Sequence, residues 1–460
     1  MLGNLIFPEI EDLIKNRNLA TLREVLAEYS PADLADLLTD IPSEMDQAVM
    51  FRLLPKDVAT DTFEYLDVEI QLALMKSLGR EEVSHILNDM SPDDRTALLE
   101  ELPAPVTKQM LMMLTPEERS IANKLLGYKE NTIGRLMTPD YIAIREDLTV
   151  EDVLANIRQF GKDSETLNVI YIIDEKGKLI DDIRIREILL SPLERRLSDL
   201  MDGNFVHLVA NDDQETAVEV FKKHDRTVLP VTDNTGILMG IVTIDDVLDV
   251  AEEEATEDIQ KLGGSEALEE PYSTISLFGM IKKRAGWLSV LFLGEMLTAS
   301  AMGFFEHEIE RAVVLALFVP LIISSGGNSG SQASTLVIRA LSLGEIKVMD
   351  WWFVIKREFL SGLVLGGILA IIGFIRIMIF QYSFHTYGEH WVLIGLTVAF
   401  ALVGVVTWGT LTGSALPLVI KKLGLDPATS SAPFVATMVD VTGLILYFGI
   451  AMILLSGKLL

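Results

Sequence analysis

Residues 433–456, PFVATMVDVTGLILYFGIAMILLS, form one of five apolar stretches in the carboxyl-terminal part of the chain. An α-helix of about 20 apolar residues is long enough to cross a bilayer. All five stretches reach that length: 285–305, 312–338, 358–381, 391–420 and 433–456. The sequence therefore predicts a transmembrane domain of five helices at residues 281–460, attached to a large polar region.

Charge is divided unevenly between these two parts of the 460-residue chain. Residues 281–460 hold 10 of the 67 acidic and 12 of the 38 basic residues, so residues 1–280 hold the other 57 acids and 26 bases. Such an excess of acid repels nucleic acids and anionic lipid, and it favours cations as ligands. The chain has no cysteine, which excludes disulfides and thiolate metal sites.

Basic residues in the loops predict the orientation of the five stretches. Lys and Arg precede the first stretch and recur in the loops at 339–357 and 421–422, whereas the alternate loops hold few. Short loops rich in Lys and Arg stay in the cytoplasm, which predicts a cytoplasmic amino-terminal half and an external carboxyl terminus. The first residues, MLGNLIFPEIEDLIKN, lack the regions of a secretory signal.

Residues 1–132 repeat one helix start signal. A Ser or Thr is followed by Pro and acids in SPAD at 30–33, SPDD at 91–94 and TPEE at 115–118, with apolar residues at helical spacing behind. These residue types cap and open helices. An all-α superhelical amino-terminal domain made of helical hairpins is predicted.

An internal repeat follows. Leu136 and Leu200 each open the order strand, helix, strand, Gly turn, strand and helix, which predicts two α/β modules at 133–199 and 200–250. Tandem modules of this kind resemble a CBS pair, a regulatory fold that binds adenosyl nucleotides or metal ions.

The CBS resemblance implies a nucleotide site in the second module. The family's ribose-binding pattern fits Gly240, Thr243 and Asp246. The first module departs from the pattern, with other residue types at the equivalent places: Asp181, Arg184 and Glu187. ATP is therefore a candidate ligand of the second module.

An acidic segment joins the modules to the first apolar stretch. Its sequence at 251–262, AEEEATEDIQKL, has a helical pattern, and we predict an acidic connecting helix within 251–280. A solvated surface helix is the alternative interpretation of any such run of charge.

Asp440 is the outstanding polar residue of the apolar stretches. An ionisable side chain in hydrocarbon costs a few kcal/mol or more, so it marks a functional site. Thr437, Thr442 and Gly443 lie close by in sequence. The alternative is a structural Asp bonded to a hydroxyl of a neighbouring helix.

The second stretch contains PLIISSGGNSGSQ at 320–332, which is too rich in Gly and polar residues to face lipid. We expect non-helical backbone there, which membranes tolerate only beside protein or water, and therefore beside a pore. Close helix packing through small residues is the alternative.

These two motifs, written PxxxxxGGNxGxQ at 320–332 and ATxxDxTG at 436–443, resemble those of the MgtE family of magnesium channels. With the helical domain, the CBS pair and the acidic helix, the resemblance covers nearly the whole chain. It implies a multi-pass homodimer in a bacterial inner membrane, with the pore on the two-fold axis and Asp440 of both subunits holding Mg²⁺. The residues implied to complete the filter are Ala436, Gly326, Gly327, Asn328 and Gly330.

The resemblance also implies regulation by the transported ion. In the family, cytosolic Mg²⁺ bridges carboxylates of the cytoplasmic domains, and the loaded form is closed. Mg²⁺ prefers oxygen ligands and retains water, so such contacts are weak enough to sense cellular concentrations. The matching residues are Asp93, Asp225, Asp246, Asp249, Glu254, Glu257 and Asp258.

Rival functions remain open at this point. The chain could transport another divalent cation, such as Co²⁺ or Mn²⁺, or sense a metal without conducting it. We expect no enzyme: an intramembrane aspartyl protease needs two carboxylates in one site, and Asp440 is the only deep acid expected in the five stretches.

Overall fold

The computed structural model describes residues 3–268, 272 and 275–456, with the backbone alone at residues 3–7, 163 and 311. The chain forms two units, Met1–Glu252 and Glu253–Leu460. Parts of the predicted domains lie outside the described residues, at 1–2, 269–271, 273–274 and 457–460. The predicted domain boundaries themselves stay predictions.

Short helices make up the first part of the first unit. Ser30 and Thr115 accept hydrogen bonds of 3.3 Å from the backbone N–H groups of Asp33 and Glu118, so these two start signals act as predicted. The apolar faces pack into one core. In chain order the helices are α1 (Gly3–Lys15), α2 (Leu19–Leu26), α3 (Pro31–Asp40), α4 (Glu44–Phe51), α5 (Lys56–Glu64), α6 (Val68–Ser77), α7 (Arg80–Asp89), α8 (Pro92–Glu101), α9 (Ala104–Leu111) and α10 (Pro116–Leu125).

Two copies of one α/β arrangement follow, as the repeat predicts. In each, the first strand pairs in parallel with the second, and the second pairs antiparallel with the third. Gly177 and Gly236 turn the chain between the last two strands, with φ of +80° and +87°. The elements are α11 (Ile133–Leu136), β1 (Ala143–Arg145), α12 (Val150–Phe160), β2 (Val169–Ile173), β3 (Leu179–Arg184), α13 (Ile185–Leu189), β4 (Leu208–Val209), α14 (Gln214–His224), β5 (Val228–Thr232), β6 (Leu238–Thr243) and α15 (Ile244–Leu262).

The two modules share a hydrophobic core. Tyr171 of β2 and Ile241 of β6 are both buried in it. A β-bridge also joins Thr138 to Ile241. The modules are therefore a packed pair, as the sequence analysis expected.

Five stretches of the second unit are long and apolar enough to cross a membrane, which confirms the predicted number in the described residues. They are Leu277–Phe304, Val313–Ser342, Val348–Phe384, Trp391–Lys422 and Ala432–Leu455. The α-helices are α16 (Leu277–Phe304), α17 (Glu306–Arg311), α18 (Val313–Ala316), α19 (Val319–Ser342), α20 (Trp351–Phe384), α21 (Trp391–Lys422) and α22 (Ala432–Leu455). The chain is a multi-domain membrane protein of the predicted fold class.

Burial differs among these helices. α19, α21 and α22 carry many buried residues, among them Val405 and Val439. No residue of α16 is buried within the described part of the chain. One side of α16 must therefore be covered by lipid or by another protein surface.

Candidate ion pathway and acidic cluster

Asp440 lies well inside α22. The helix is capped by Ser431, whose side chain accepts from the Phe434 N–H, and Pro433 sits in the first turn, where a proline is tolerated. Asp440 lies eight residues beyond Ala432, about 12 Å along the helix axis. Its side chain is partly exposed in the isolated chain.

Gly327 of α19 faces this carboxylate. A Cβ on Gly327 would lie 3.5 Å from the Ala436 Cβ and 3.8 Å from the Asp440 Oδ1. Ala436 is one turn before Asp440, on the same side of α22. The structure thus brings together three of the sequence-predicted pore residues.

Gly326 and Gly330 are placed differently, against neighbouring helices. A Cβ on Gly330 would lie 2.8 Å from the Gly409 carbonyl oxygen of α21, and one on Gly326 would lie 2.6 Å from a Val405 methyl. Both glycines let α19 and α21 approach closely, as the packing alternative expects, and their place in a filter stays a prediction.

The expectation of non-helical backbone at 320–332 is wrong. α19 is a continuous α-helix through this run, so its peptide groups are committed to helical hydrogen bonds. Glycine lowers helix propensity, but close packing against α21 outweighs that effect here.

A polar stripe runs along the exposed side of α19 and consists of Ser324, Asn328, Gln332 and Thr335. The Asn328 amide donates to Ser324 at 3.5 Å, and the Thr335 hydroxyl donates to the Ser331 carbonyl. Polar side chains at membrane depth face protein or water rather than lipid. The stripe marks the side of α19 on which a hydrated path or a second protein surface lies.

A second acid lies beside Asp440, and the sequence analysis missed it. The carboxyl of Glu295, on α16, is within hydrogen-bonding reach of the Asp440 carboxyl. The expectation that Asp440 is the only deep acid is therefore wrong. The rule that singled out Asp440, an ionisable residue inside an apolar stretch, applies equally to Glu295.

The first unit contains an acidic cluster, defined as Glu64, Asp93, Asp94, Glu165, Asp245, Asp246 and Asp249. Asp93 is 7% exposed, and its Oδ1 has no hydrogen-bond partner. Burial and then the Asp246 carboxyl raise the pKa of Asp93 well above its usual range. Burial likewise raises the pKa of Asp246 to about 7, although a 2.7 Å hydrogen bond from Thr243 opposes the shift.

The first turns of two helices form the centre of this cluster. Asp93 and Asp94 open α8, while Asp245 and Asp246 open α15. Burial raises the pKa of Asp94, and Asp245 and Asp249 add to the shift. Within one unit, therefore, Asp93, Asp246 and Asp249 of the predicted regulatory set come together.

Glu64 and Glu165 complete the acidic cluster. Burial raises the pKa of Glu64 to about 7, against a hydrogen bond from the Ser91 backbone N–H, and burial also raises that of Glu165. Neither residue belongs to a motif, so the sequence alone gave no signal for them. A cation would relieve the repulsion among these buried carboxylates.

The other predicted regulatory residues lie elsewhere. Asp225 is exposed and ends α14 with φ of +48°, a conformation that Asp tolerates. Glu254, Glu257 and Asp258 belong to the part of α15 in the second unit.

Lys261 and Asp258 link this part of α15 to residues that flank the apolar helices of the same unit. Lys261 forms ion pairs with Glu257 and with Asp426, the latter at 2.7 Å. Asp258 accepts a 3.4 Å hydrogen bond from Ser342, and burial followed by the charge of Asp426 raises its pKa.

The residues predicted to bind a nucleotide are engaged within the fold. A Cβ on Gly240 would lie 2.7 Å from the Thr138 carbonyl oxygen, so close packing requires a glycine there. Asp181, one of the residues at which the first module departs from the nucleotide-binding pattern, is buried and accepts hydrogen bonds from the backbone N–H groups of Asp202 and Gly203. A pocket of about 380 Å³ lies instead in the first module, lined in part by Tyr141 and Phe160.

In the described part of the chain, no three His, Asp or Glu side chains are arranged closely enough to hold a metal ion by themselves. A cation at either acidic site would therefore keep part of its water.

Comparison with known proteins accounts for most of the chain. A divalent cation transporter family, MgtE, matches residues 319–450. The MgtE intracellular N domain matches 29–131, and CBS domains match 133–194 and 197–253. The magnesium transporter MgtE of Thermus thermophilus is 36% identical over 452 residues, which cover 97% of this chain and 98% of the relative. The chain belongs to the MgtE family.

Other MgtE proteins agree with this. The magnesium transporter MgtE of Bacillus subtilis is 29% identical over 98% of both chains. The crystal structure of the cytosolic domain of the Mg²⁺ channel MgtE in complex with ATP is 35% identical, with a TM-score of 0.51, and covers 53% of this chain and 99% of that chain. The soluble part of a magnesium transporter, at 23% identity and a TM-score of 0.51, supports the fold alone.

The carboxylate pair of Glu295 and Asp440 therefore occurs in a chain that belongs to a transporter family. An intramembrane aspartyl protease was not expected because only one deep acid was predicted, and the observed pair of acids removes that argument. The family assignment favours transport over proteolysis.

Proposed function

We propose that this chain carries Mg²⁺ into the cell along a path that passes Asp440, and that cytosolic Mg²⁺ closes the path. One observation carries the proposal: a partly exposed carboxylate lies at membrane depth beside Gly327, in a chain whose relatives are magnesium transporters. Mg²⁺ gives up water reluctantly, so a carboxylate that binds its hydration shell suits passage without full dehydration.

We propose a homodimer, which the exposed surfaces of the membrane unit support. The polar stripe on α19 and Glu295 on the unburied helix α16 cannot face lipid without cost. A second copy on a two-fold axis would cover them and would bring two Asp440 side chains to one path. We propose that the chain lies in a bacterial inner membrane, and loop charges favour an orientation with the first unit in the cytoplasm and the carboxyl terminus outside.

The acidic cluster is the proposed sensor. Cytosolic Mg²⁺ would bind between α8 and α15, where the buried Asp93 Oδ1 lacks a partner and Asp246 lies opposite. Without the ion, the carboxylates repel one another; with it, they are drawn together. In the second unit, Asp258 and Asp426 offer a further place where the ion would reduce repulsion.

ATP is a proposed regulatory ligand of the CBS pair, since a relative's cytosolic domain was crystallised with it. In this chain Gly240 and Asp246 are already engaged by packing and by Thr243. We therefore propose that the adenine base of ATP binds in the first-module pocket at Tyr141 and Phe160.

Mg²⁺ uptake by the full chain in proteoliposomes tests the transport proposal. Asp440→Asn removes the charge at constant size and should lower the initial uptake rate about tenfold or more, which corresponds to about 1.4 kcal/mol. Glu345→Gln is the matched control, because Glu345 is an exposed loop acid. If the wild-type protein took up Mn²⁺ or Co²⁺ but no Mg²⁺, the transported ion would be one of these and not Mg²⁺. If Asp440→Asn took up Mg²⁺ as fast as the wild type, the proposed path past Asp440 would be refuted.

A further inference from the structure

Glu295 is an acid on the least buried helix of the membrane unit. It is exposed in the isolated chain, and it follows the apolar run LSVLFLG at 288–294. An ionisable group at membrane depth faces a water-filled path or a protein partner rather than lipid. At this position Glu295 needs a functional or structural partner, and the carboxyl of Asp440 is close enough to be that partner.

Two contacts hold α16 at the right place on α22. The Trp287 indole N–H donates to the Ser431 hydroxyl at 3.1 Å, and its ring lies 5.8 Å from that of Phe434. Further along, a Cβ on Gly294 would lie only 2.5 Å from a Thr437 methyl.

The missing side chain at Gly294 lets α16 and α22 approach one residue before Glu295. Since Thr437 is three residues before Asp440, this close approach is what brings the two carboxyl groups together.

The two acids also lie at matching depths. Glu295 is eleven residues beyond Arg284, about 16 Å along α16, and Asp440 is about 12 Å from the start of α22. Loop charges place both of these starting points on the same side of the membrane. The pair therefore lies near mid-membrane, where few other charges are available.

We propose that Glu295 is a second cation-contacting carboxylate of the ion path, which with Asp440 of the same subunit holds a hydrated divalent cation. The inference rests on the proposed transport function and adds a specificity-determining residue to it. Two neighbouring carboxylates match the charge of one divalent ion, whereas a monovalent ion leaves a net negative charge in a medium of low polarity. Waters of the ion's hydration shell donate to both carboxylates.

A purely structural role for Glu295 makes a different prediction. If the side chain only hydrogen-bonds Asp440 to hold α16 on α22, a glutamine should serve, because its amide also donates to a carboxylate. The cation role needs the negative charge, so Glu295→Gln separates the two.

The test measures the external Mg²⁺ concentration that gives half-maximal uptake, and the Na⁺ leak without divalent ions, for the full chain in proteoliposomes. Glu295→Gln should raise the half-maximal concentration about tenfold and should weaken the block of Na⁺ leak by Mg²⁺. Glu295→Asp, which keeps the charge, should lie nearer to wild type. A glutamine variant that matches wild type in both readouts overturns the inference.

A second pair of variants covers the case in which Glu295→Gln does not fold. Gly294→Ala should push α16 off Thr437 and raise the half-maximal concentration with both carboxylates intact. Gly303→Ala, the same change on the same helix where nothing lies within 4 Å, should not. Equal values for the two alanine variants contradict the inference.

The outcomes separate the inference from the function it rests on. If Glu295→Gln takes up Mg²⁺ like the wild type while Asp440→Asn takes it up slowly, Glu295 is not part of the path and the transport proposal still holds. If the wild-type protein takes up no Mg²⁺, both the transport proposal and the inference about Glu295 are wrong.

Discussion

Single residues show where sequence reasoning succeeds in this chain and where it fails. Asp440 could be predicted because a charge inside an apolar stretch is rare, and the same rule should have found Glu295. Gly326 and Gly330 were predicted to complete a filter, which stays a prediction, and in the structure both lie in close contact with α21. The sequence shows that a glycine lies at an unusual position, but the structure is needed to show which neighbouring residue leaves no room for a side chain there.

Gly413 of α21 is a sharp test of this packing. A Cβ there would lie 2.0 Å from the Gly330 carbonyl oxygen, a backbone atom that cannot rotate away. Gly413→Ala should therefore lower the free energy of unfolding by about 1–3 kcal/mol, measured by thermal unfolding in detergent.

The control for Gly413→Ala is Gly367→Ala on α20, where nothing lies within 4 Å. It should change the free energy of unfolding by less than about 0.5 kcal/mol. Equal effects of the two substitutions would mean that α19 and α21 do not pack through these glycines.

At the level of elements, the sequence predicted the five spans, the repeat and the starts of the helices well, because periodicity and helix-start residues are local signals. Of the three start signals, only that at Ser91 lacks the side-chain hydrogen bond of a cap. The sequence could not predict that the first turns of α8 and α15 meet. That contact joins Asp93 to Asp246 across a long stretch of chain and depends on tertiary packing. Glu64 and Glu165 join the cluster for the same reason.

The acidic cluster predicts that the Mg²⁺-free protein is less stable at high pH. Folding raises the pKa of Asp246 and Glu64 to about 7, so ionising them opposes folding. The stability they contribute is greatest below their unfolded pKa values near 4 and is lost as pH rises through about 7. The melting temperature of the first unit, followed by calorimetry of the full chain with EDTA, should fall as the pH rises from about 5 to about 7 and should change little above that.

Asp93→Asn tests the cause of that fall. It should raise the melting temperature at pH 8 by at least about 2 °C and reduce the stabilisation by added Mg²⁺. Asp36→Asn, at an exposed position on α3, is the control and should change neither. A wild-type protein that is more stable at pH 8 than at pH 6 without Mg²⁺ would contradict the proposed repulsion.

For the whole molecule, the division of charge led to the right architecture: an acidic first unit and a membrane unit with five spans. We propose the orientation from the loop charges and the homodimer from the exposed surfaces of the membrane unit. The absence of native cysteine makes the orientation easy to measure.

Single cysteines should report the side of the membrane. Glu345→Cys lies in the loop after α19, and Thr386→Cys lies in the loop after α20. A membrane-impermeant maleimide added to intact cells should label the second and not the first. Labelling of Glu345→Cys alone would invert the orientation and place the acidic cluster outside the cell.

The central claim is that this chain conducts Mg²⁺ and is closed by cytosolic Mg²⁺. The most direct measurement is Mg²⁺ influx through the full chain in oriented proteoliposomes, with the Mg²⁺ concentration on the side of the first unit varied from zero to several millimolar. Our account predicts influx at zero that falls to background in the millimolar range, as expected for carboxylates that bind a hydrated ion weakly. Influx that is independent of Mg²⁺ on that side, or no influx at any concentration, would contradict it.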